Sequence, residues 1–335
     1  MKLSIVICNH NYGEFIENAI RSALAQDFAD REIIVVDDGS TDSSHEVISR
    51  WNTHVKAVFK PNGGQISAYN AGIAEASGDV LLFLDSDDTL DPDAGTRIAE
   101  QFLDPSVAKV HFRLRLVDRF GNRLGGVIPS DLASGDLSSL LRRHGELYAS
   151  APGSGNAYRA SVLRRLAPLP DDPVDKVGAD FFAIYGASLL GEVRALEGEP
   201  LGCYRIHRDA NRRALTFGNA ARAACEPLRT QRRYARLRRW LTERLGEEYS
   251  LPAVAPDFSL EKQRYASAIF SADSYAVGFR VGADLLRSHL LPSILRRRRS
   301  RAHQAGLVGW ALAVLVLPRR MGMPVARYVC NPADR

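Results

Sequence analysis

The sequence predicts an α/β fold with a mostly parallel sheet, followed by a helical extension, and three observations carry that expectation. Within the first 90 of 335 residues, short apolar runs alternate with stretches of helical periodicity. Such alternation implies parallel strands with helices packed on both faces of their sheet. Three of the apolar runs end in polar clusters: Asn9-His10-Asn11, Asp37-Asp38 and Asp85-Ser86-Asp87. From Arg208 onward the chain turns helical and arginine-rich.

Taken in order, Leu3 to Cys8 reads as a short strand, and Phe15, Ile16, Ala19, Ile20, Ala23 and Leu24 recur at helical spacing. Glu32 to Val36 is a second buried strand, followed by a helix from about Ser43 to Trp51. Val55 to Phe59 makes a third strand. Pro61-Asn62-Gly63-Gly64 breaks the chain before a helix over roughly Ser67 to Ala76, and Val80 to Leu84 closes the series. Beyond residue 105 the pattern loosens. Val107 to Val117 reads as one long strand with Arg113 and Arg115 alternating within it. Gly153-Ser154-Gly155-Asn156 is a turn before a helix starting near Ala160, and Gly178 opens another helix running to about Leu190. Val193 to Leu196 and Leu201 to Ile206 are short strand candidates. A mixed domain over 1–210 and an arginine-rich, mainly helical extension over 211–335 is the simplest partition, with a Pro-containing linker at Leu251 to Pro256.

The net charge of +5 conceals an asymmetry. Residues 1–204 carry 19 Lys and Arg against 29 Asp and Glu; residues 205–335 carry 25 against 10. The split implies two regions, the second facing something anionic, with nucleic acid and an acidic membrane as the two classes. The arginines lack interleaved aromatics and a recognisable nucleic-acid module, which disfavours nucleic acid. Cys8, Cys203, Cys225 and Cys330 form no CxxC pair, so neither a zinc knuckle nor a disulfide framework is expected, and a reducing compartment is. The N-terminal apolar stretch is too short for a signal peptide, so a cytoplasmic chain is expected.

Asp85, Ser86, Asp87 and Asp88 follow directly on Val80-Leu81-Leu82-Phe83-Leu84. Carboxylates crowded at the exit of a buried strand repel one another. A hard cation such as Mg²⁺, held by one or two carboxylates plus substrate phosphates, relieves that repulsion. A solvated turn or a helix cap uses the same residue types and stays open on this pattern alone.

The ordered set SIVICNHNYGEFIENAIRSALAQ, EIIVVDDGSTDSS, NGGQISAYNAG, GDVLLFLDSDD, GSGNAYRASVL and GADFFAIYGASL resembles the inverting GT-A glycosyltransferases of family 2. Each motif is weak alone; six in order make the resemblance specific. It runs from about Leu3 to His207 and does not cover the rest. It implies a GT-A (Rossmann-like nucleotide-diphospho-sugar transferase) domain, a nucleotide-sugar donor with UDP favoured, Mg²⁺ or Mn²⁺, and transfer to a hydroxyl with inversion.

In the roles the resemblance implies, Cys8, Asn9, His10 and Asn11 line the nucleotide, and Asp38 or Asp37 receives the base, where a carboxylate can accept the uracil N3–H. Asp87 is the direct metal ligand, Asp85 contacts ribose or metal-bound water, and Ser86 lies between them on the donor. Asp88 is a third acid or a cap for the next helix. Gln65, Tyr69 and Asn70, near helical spacing, face the donor. His207 matches a position that contacts metal or diphosphate in some relatives. Asp180 matches the general base, and Ser154, Gly155 and Asn156 with Arg159 match the acceptor side. Two departures stand out: the family's usual Glu-Asp is Ala179-Asp180 here, and many relatives have Arg where this chain has Tyr69.

The extension contains Arg296-Arg297-Arg298-Arg299-Ser300-Arg301 and an apolar run from Ala305 to Leu317. Thirteen helical residues span roughly 20 Å, short of the ~30 Å hydrocarbon core. The run is therefore a buried core helix or an in-plane membrane helix flanked by arginines. The resulting expectation is a metal-dependent hexosyltransferase acting in bacterial cell-surface polysaccharide synthesis on a glycan or polyprenyl-linked acceptor, peripheral on the cytosolic face of the inner membrane. The competing readings are a catalytically inactive GT-A-like glycan-binding protein and a sugar-nucleotide nucleotidyltransferase. The second lacks its glycine- and basic-rich N-terminal loop here.

Overall fold

A computed structural model of the chain describes residues 1–173, 175–208, 215–217, 229–253, 258–296 and 300–330. It divides into two compact units: Met1–Glu226 with Arg232–Ala253, and Pro227–Gln231 with Val254–Arg335.

The first unit is built on β1 (Leu3–Asn9), α1 (Ile16–Leu24), β2 (Arg31–Asp38), α2 (Ser44–Ser49), β3 (Lys56–Lys60), α3 (Gln65–Glu75) and β4 (Val80–Asp85). Every strand and helix expected over residues 1–90 is present within a few residues of its expected bounds. The short β5 (Thr89–Leu90) and α4 (Ala94–Gln101) follow. The long strand expected over 107–117 is instead two: β6 (Val107–Phe112) and β7 (Leu114–Val117), which break at Arg113 and enter different sheets. Then come β8 (Arg123–Ile128), α5 (Ser138–His144), β9 (Asn156–Arg159), α6 (Ala160–Leu166), α7 (Ala179–Ala187), β10 (Glu192–Leu196), β11 (Gly202–Arg208) and β12 (Leu215–Phe217).

The main sheet has the order β10-β6-β9-β4-β1-β2-β3. Strands β4, β1, β2 and β3 run parallel, so their carboxyl ends, where ligands gather in open α/β sheets, share one rim. Strand β9 runs antiparallel between β4 and β6, with Leu82 opposite Ala157. That reversal carries the preceding Gly153–Gly155 turn back to the rim. The second sheet, β12-β11-β7-β8, is joined by β5, whose Thr89 pairs with Cys203 of β11. This pairing brings β11 beside the residues just after β4.

The central strands are apolar on both faces because helices cover both. Ile5, Val6, Ile7, Val35, Val36, Leu81 and Leu82 are wholly enclosed. Each such side chain contributes about 1.5–3 kcal/mol of burial. Helix α3 lies so close to the sheet at Gly72 that a Cβ there would stand 2.3 Å from Val6 Cγ1. Glu32 ties three segments at the opposite end of the sheet. Its carboxylate accepts from Ser4 Oγ at 2.5 Å, Lys2 Nζ at 2.9 Å and Ser77 N at 2.6 Å. Packing alone would raise its pKa, but the hydrogen bonds from Ser4, Lys2 and Ser77 outweigh that and hold it at about 2. A depressed carboxylate contributes stability that is full above its unfolded pKa of 4.5 and lost as pH falls through the folded value. Glu32→Gln is therefore expected to cost about 1–2 kcal/mol at neutral pH, after allowing for solvent screening, and the gap to the parent should close between about pH 4.5 and 2 in denaturant titrations.

Helix α8 (Arg229–Leu245) carries Tyr234, Leu237, Trp240 and Leu241 on one face, all buried against the first unit. Trp240 Nε1 donates to Pro168 O at 3.0 Å, and Arg233 and Arg236 pair with Asp175 and Asp172. A division at residue 210 would put this helix in the extension, whereas it packs with the mixed domain. Part of the arginine excess thus meets acids of the same chain.

The second unit holds α9 (Phe258–Phe270), α10 (Tyr275–Leu285), α11 (Leu291–Arg296), α12 (Arg301–Val316) and α13 (Arg319–Cys330) around a small core of Tyr265, Leu290, Ile294, Trp310, Val314 and Leu315. The apolar run of 305–317 lies in α12 up to Val316, with Trp310, Ala311, Val314 and Leu315 inward and Leu312 and Val316 exposed. Arg297, Arg298 and Arg299 lie outside the described residues, as do 254–256 of the expected linker. No helix among the described residues is long and apolar enough to cross a membrane.

Candidate active site

The rim is built first by loops that fix backbone groups. After β1, Asn11 adopts a left-handed conformation (φ 58°), tolerable for Asn, and its Oδ1 accepts from Thr41 N at 2.7 Å. Asn9 Nδ2 donates to Asp37 at 2.8 Å, and Ser40 N and Oγ donate to the same carboxylate. Asp38 accepts from Lys60 Nζ at 2.5 Å, Gly63 N at 2.9 Å and Gly64 N at 2.6 Å. Both aspartates are almost wholly buried. They hold the loops after β1, β2 and β3 together and leave His10 and Asn11 exposed above them. Asp38 does not cap α2. Cys8 lies beside Asp85 across the β1–β4 ladder, and burial, then Asp85 and Asp38, push its thiol well above the ordinary range.

Past β4 the chain turns at once, with Asp88 N donating to Asp85 O at 3.0 Å. The turn sends its carboxylates three ways. Asp88 goes inward: Ser154 Oγ donates to Oδ2 at 2.6 Å, and Arg205 N donates to Oδ1 at 2.8 Å. It is a clamp between the 153–155 turn and β11 rather than a helix cap. Asp87 reaches His207 of β11, Oδ2 to Nε2 2.8 Å, while its carbonyl accepts from Arg205 Nε at 2.8 Å. Tyr12 and Phe15 pack their rings on the His207 imidazole. Asp85 points to the centre of the rim, its amide held by Ser154 Oγ at 3.0 Å.

Asp85 is the electrostatic focus. Burial first, then the charges of Asp87 and Asp180, raise its carboxyl to about 8 against a hydrogen bond from Gln65. Gln65, at the start of α3, also accepts from Gly178 N at 2.7 Å and Ala179 N at 3.3 Å. It thereby links Asp85 to the N-terminus of α7, where Asp180 stands in the first turn. Burial raises Asp180 as well, opposed by the positive charge of Arg233 on α8. Arg233 is fixed by Asp175 at 2.6 and 3.0 Å and by Val177 O at 2.7 Å. Tyr69 stacks flat on Phe83, with 3.8 Å between ring centroids, and its buried hydroxyl has no hydrogen-bond partner. A Cβ added to Gly153 would stand 3.1 Å from both that hydroxyl and Asp85 Oδ2.

The structure therefore gathers Asp85, Asp87, Asp180, Gln65, Tyr69, His207 and the turn at Ser154 at one rim, with Ser86 buried beneath. Other expected site residues are placed differently. Arg159 pairs with Val80 at the far end of β4, and its guanidinium donates to Val107 O, Phe102 O and Asp104 O. Asn70 holds Leu169 through both amide atoms, at 3.1 and 2.7 Å. Asn156 is fully buried and brackets the carbonyls of Ala151 and Pro152. Gly155 is required by packing, since a Cβ would meet Ala151 Cβ at 2.5 Å and Phe112 O at 2.9 Å; close approach to the site occurs at Gly153. The sequence reading missed Arg205 and Arg233. The alternation Tyr204-Arg205-Ile206-His207 could have signalled the first, because strand periodicity puts Arg205 on the same face as His207.

Among the described residues no three His, Cys, Asp or Glu side chains form a metal cage by themselves. The crowded Asp85 and Asp87 with the His207 imidazole instead form a partial donor set, which fits a hard cation whose shell is completed by substrate phosphates. The fit rests on the chemistry of the donors: two carboxylates at one strand exit, one of them hydrogen-bonded to the His207 imidazole.

Residues 4–166 match the family described as Glycosyl transferase family 2. The chain is 39% identical over 213 residues to an uncharacterized glycosyltransferase of Nostoc sp. (strain PCC 7120), covering 62% of this chain and 65% of that protein. It is 40% identical over 124 residues to the chondroitin synthase of Pasteurella multocida, covering 36% of this chain and 13% of that one. The chain thus spans just under two thirds of the first relative's length and a small part of the second's. Among solved structures, TarS of S. aureus (residues 1–349, in complex with UDP) is similar at 16% identity and a TM-score of 0.48, covering all of this chain and 88% of that one. The mixed domain has the GT-A fold. Residues 4–166 of that domain, just under half of the chain, resemble glycosyltransferase family 2.

Proposed function

We propose that the chain is a metal-dependent, inverting hexosyltransferase that moves a sugar from a nucleotide-diphosphate donor, UDP-linked by preference, to a hydroxyl of a glycan or polyprenyl-linked acceptor. The observation that carries this reading is the convergence of Asp85 and Asp87 with Asp180, joined by Gln65, at one sheet rim. The nucleoside is assigned to the loops Cys8–Asn11 and Asp37–Asp38, and the diphosphate to the side of Asp87 and His207. A bound Mg²⁺ or Mn²⁺ on Asp87, Asp85 and His207 would neutralise diphosphate charge.

The protein's own part in the reaction is positional and basic. The acceptor oxygen attacks the anomeric carbon from the Asp180 side while the bond to the diphosphate oxygen breaks on the other, so the configuration inverts. The acceptor proton passes to the Asp180 carboxylate, and the nucleoside diphosphate leaves with the bonding electron pair. The Ser154 turn, fixed by Asp88, shapes the wall between donor and acceptor. The Pasteurella relative's name supports a polymer-building role, here cell-surface polysaccharide. The basic second unit supports a place on the cytosolic face of the inner membrane.

The test is transfer or hydrolysis with a panel of UDP- and GDP-sugars, with and without Mn²⁺; no metal-dependent turnover of any donor would remove the proposal. Tyr69→Phe adds a finer check. Loss of an unpartnered buried hydroxyl should stabilise the free protein by about 1 kcal/mol in denaturant melts. If that hydroxyl meets the bound sugar, turnover should fall about tenfold in the same variant.

A further inference from the structure

We infer that the second unit docks on an anionic lipid surface through an outward-facing apolar patch centred on α10. This deepens the membrane-peripheral reading above and rests on it. Helix α10 is inverted relative to an ordinary amphipathic helix. Its buried residues are Gly278 and Gly282, one turn apart, and they let it lie directly on α9. A Cβ at Gly278 would stand 2.6 Å from Ile269 O, and one at Gly282 2.5 Å from Ile269 Cγ1. With glycines inward, the large side chains face out. Tyr275 (58% exposed) and Phe279 (41%) lie one turn apart on one flank of the outward side, and Val277 and Val281, also exposed, lie one turn apart on its other flank, with Arg280 and Asp284 between them. Tyr275 Oη donates to Val316 O at 3.0 Å, which joins the patch to the end of α12. There Val316 (54% exposed), Leu312 one turn earlier and Met321 (61%) continue it. Isolated apolar residues on a surface are ordinary, but a run of them on adjoining elements marks an interaction site.

Charge selects the partner. Arg280 stands next to Phe279, and Arg319 and Arg320 precede Met321, all three exposed. Residues 254–335 carry thirteen Lys and Arg against five Asp and Glu. A second copy of this chain would bring the same cationic rim against itself. A bilayer rich in anionic headgroups offers phosphate to the arginines and acyl carbon to the aromatic and aliphatic tips, at the shallow depth reached by helices lying in the interface. This surface extends beyond the 305–317 run that the sequence singled out, four of whose residues, Trp310, Ala311, Val314 and Leu315, are core.

Flotation of the full chain with phosphatidylglycerol-rich vesicles, against vesicles of phosphatidylcholine alone, tests the inference. The chain should float only with the anionic vesicles. Val277→Ser with Phe279→Ser should lower the partition about tenfold, as should Arg319→Glu with Arg320→Glu. Thermal unfolding and donor hydrolysis in solution should not change in either variant. Equal flotation of parent and variants, or no preference for anionic lipid, overturns the inference. So does a chain that is dimeric in solution and becomes monomeric on the Val277/Phe279 change, because the patch would then belong to a second copy. Absence of donor hydrolysis in a parent that still floats would sink the glycosyltransferase reading and leave the docking surface standing.

Discussion

Replacing Asp180 by Asn should lower turnover by about 10²–10⁴-fold, with little change in donor binding. The residue lies in the first turn of α7, whose N-terminal amides are held by Gln65, so the site should keep its shape when the carboxylate becomes an amide. What is lost is the ability to take the acceptor proton. Stability should not fall, because a carboxyl whose pKa is raised by burial is costly in its charged form and a neutral Asn is not. The pH dependence has a definite sign. Asp180 must be ionised to act as a base, and its carboxyl lies above the ordinary carboxylate range. Activity should therefore rise with pH through that elevated value, and the acid limb should vanish from the residual activity of Asp180→Asn. Single-turnover rates against pH for the two proteins check this.

Asp87→Asn should lower metal-dependent turnover about 10²–10³-fold, the loss of several kcal/mol of charge stabilisation. The amide can still hydrogen-bond His207 and leaves the backbone clamp between the Asp87 carbonyl and Arg205 untouched, so the fold should be unaffected. The expected signature is selective. Mn²⁺ binding in the presence of nucleotide diphosphate should weaken, whereas Asp180→Asn should bind Mn²⁺ as the parent does. A metal titration of both variants separates the two roles without reference to activity.

The N-terminal half of the fold was legible because its signals are local. Apolar runs bounded by turn residues fixed the strands from Leu3 to Leu84, and the polar clusters at their ends pointed to the rim. Helix α8 was legible as a helix but not in its allegiance. A run of arginines does not reveal that Arg233 and Arg236 meet Asp175 and Asp172, some sixty residues earlier in the chain. The division of 107–117 was hidden because alternation around Arg113 continues through the break between two sheets. Within the site, the position of Asp85 and Asp87 at a strand exit could be read from the apolar run before them. Asp180 rested on resemblance alone, since a single acid at a helix start has many uses. The clamp of Asp88 on Ser154 and the Arg205 amide depends on β9 and β11 returning to the rim, which no local pattern encodes. Gly155 and Arg159 illustrate the converse. Both belong to the right motif, yet β9 is only four residues long, and it takes Arg159 to the opposite end of β4 from Asp85.

The central claim is that the rim of Asp85, Asp87 and Asp180 forms a metal-dependent nucleotide-sugar site. Its most direct test is the thermal unfolding of the parent and of Asp87→Asn, each with a panel of nucleotide diphosphates, with and without Mn²⁺. A ligand that binds only the folded state raises its stability by about 2.7 kcal/mol at a hundredfold excess over its dissociation constant. The account predicts an upward shift for at least one nucleotide diphosphate, dependent on Mn²⁺ in the parent and lost in Asp87→Asn. A shift of equal size in both proteins, or one indifferent to Mn²⁺, would contradict it.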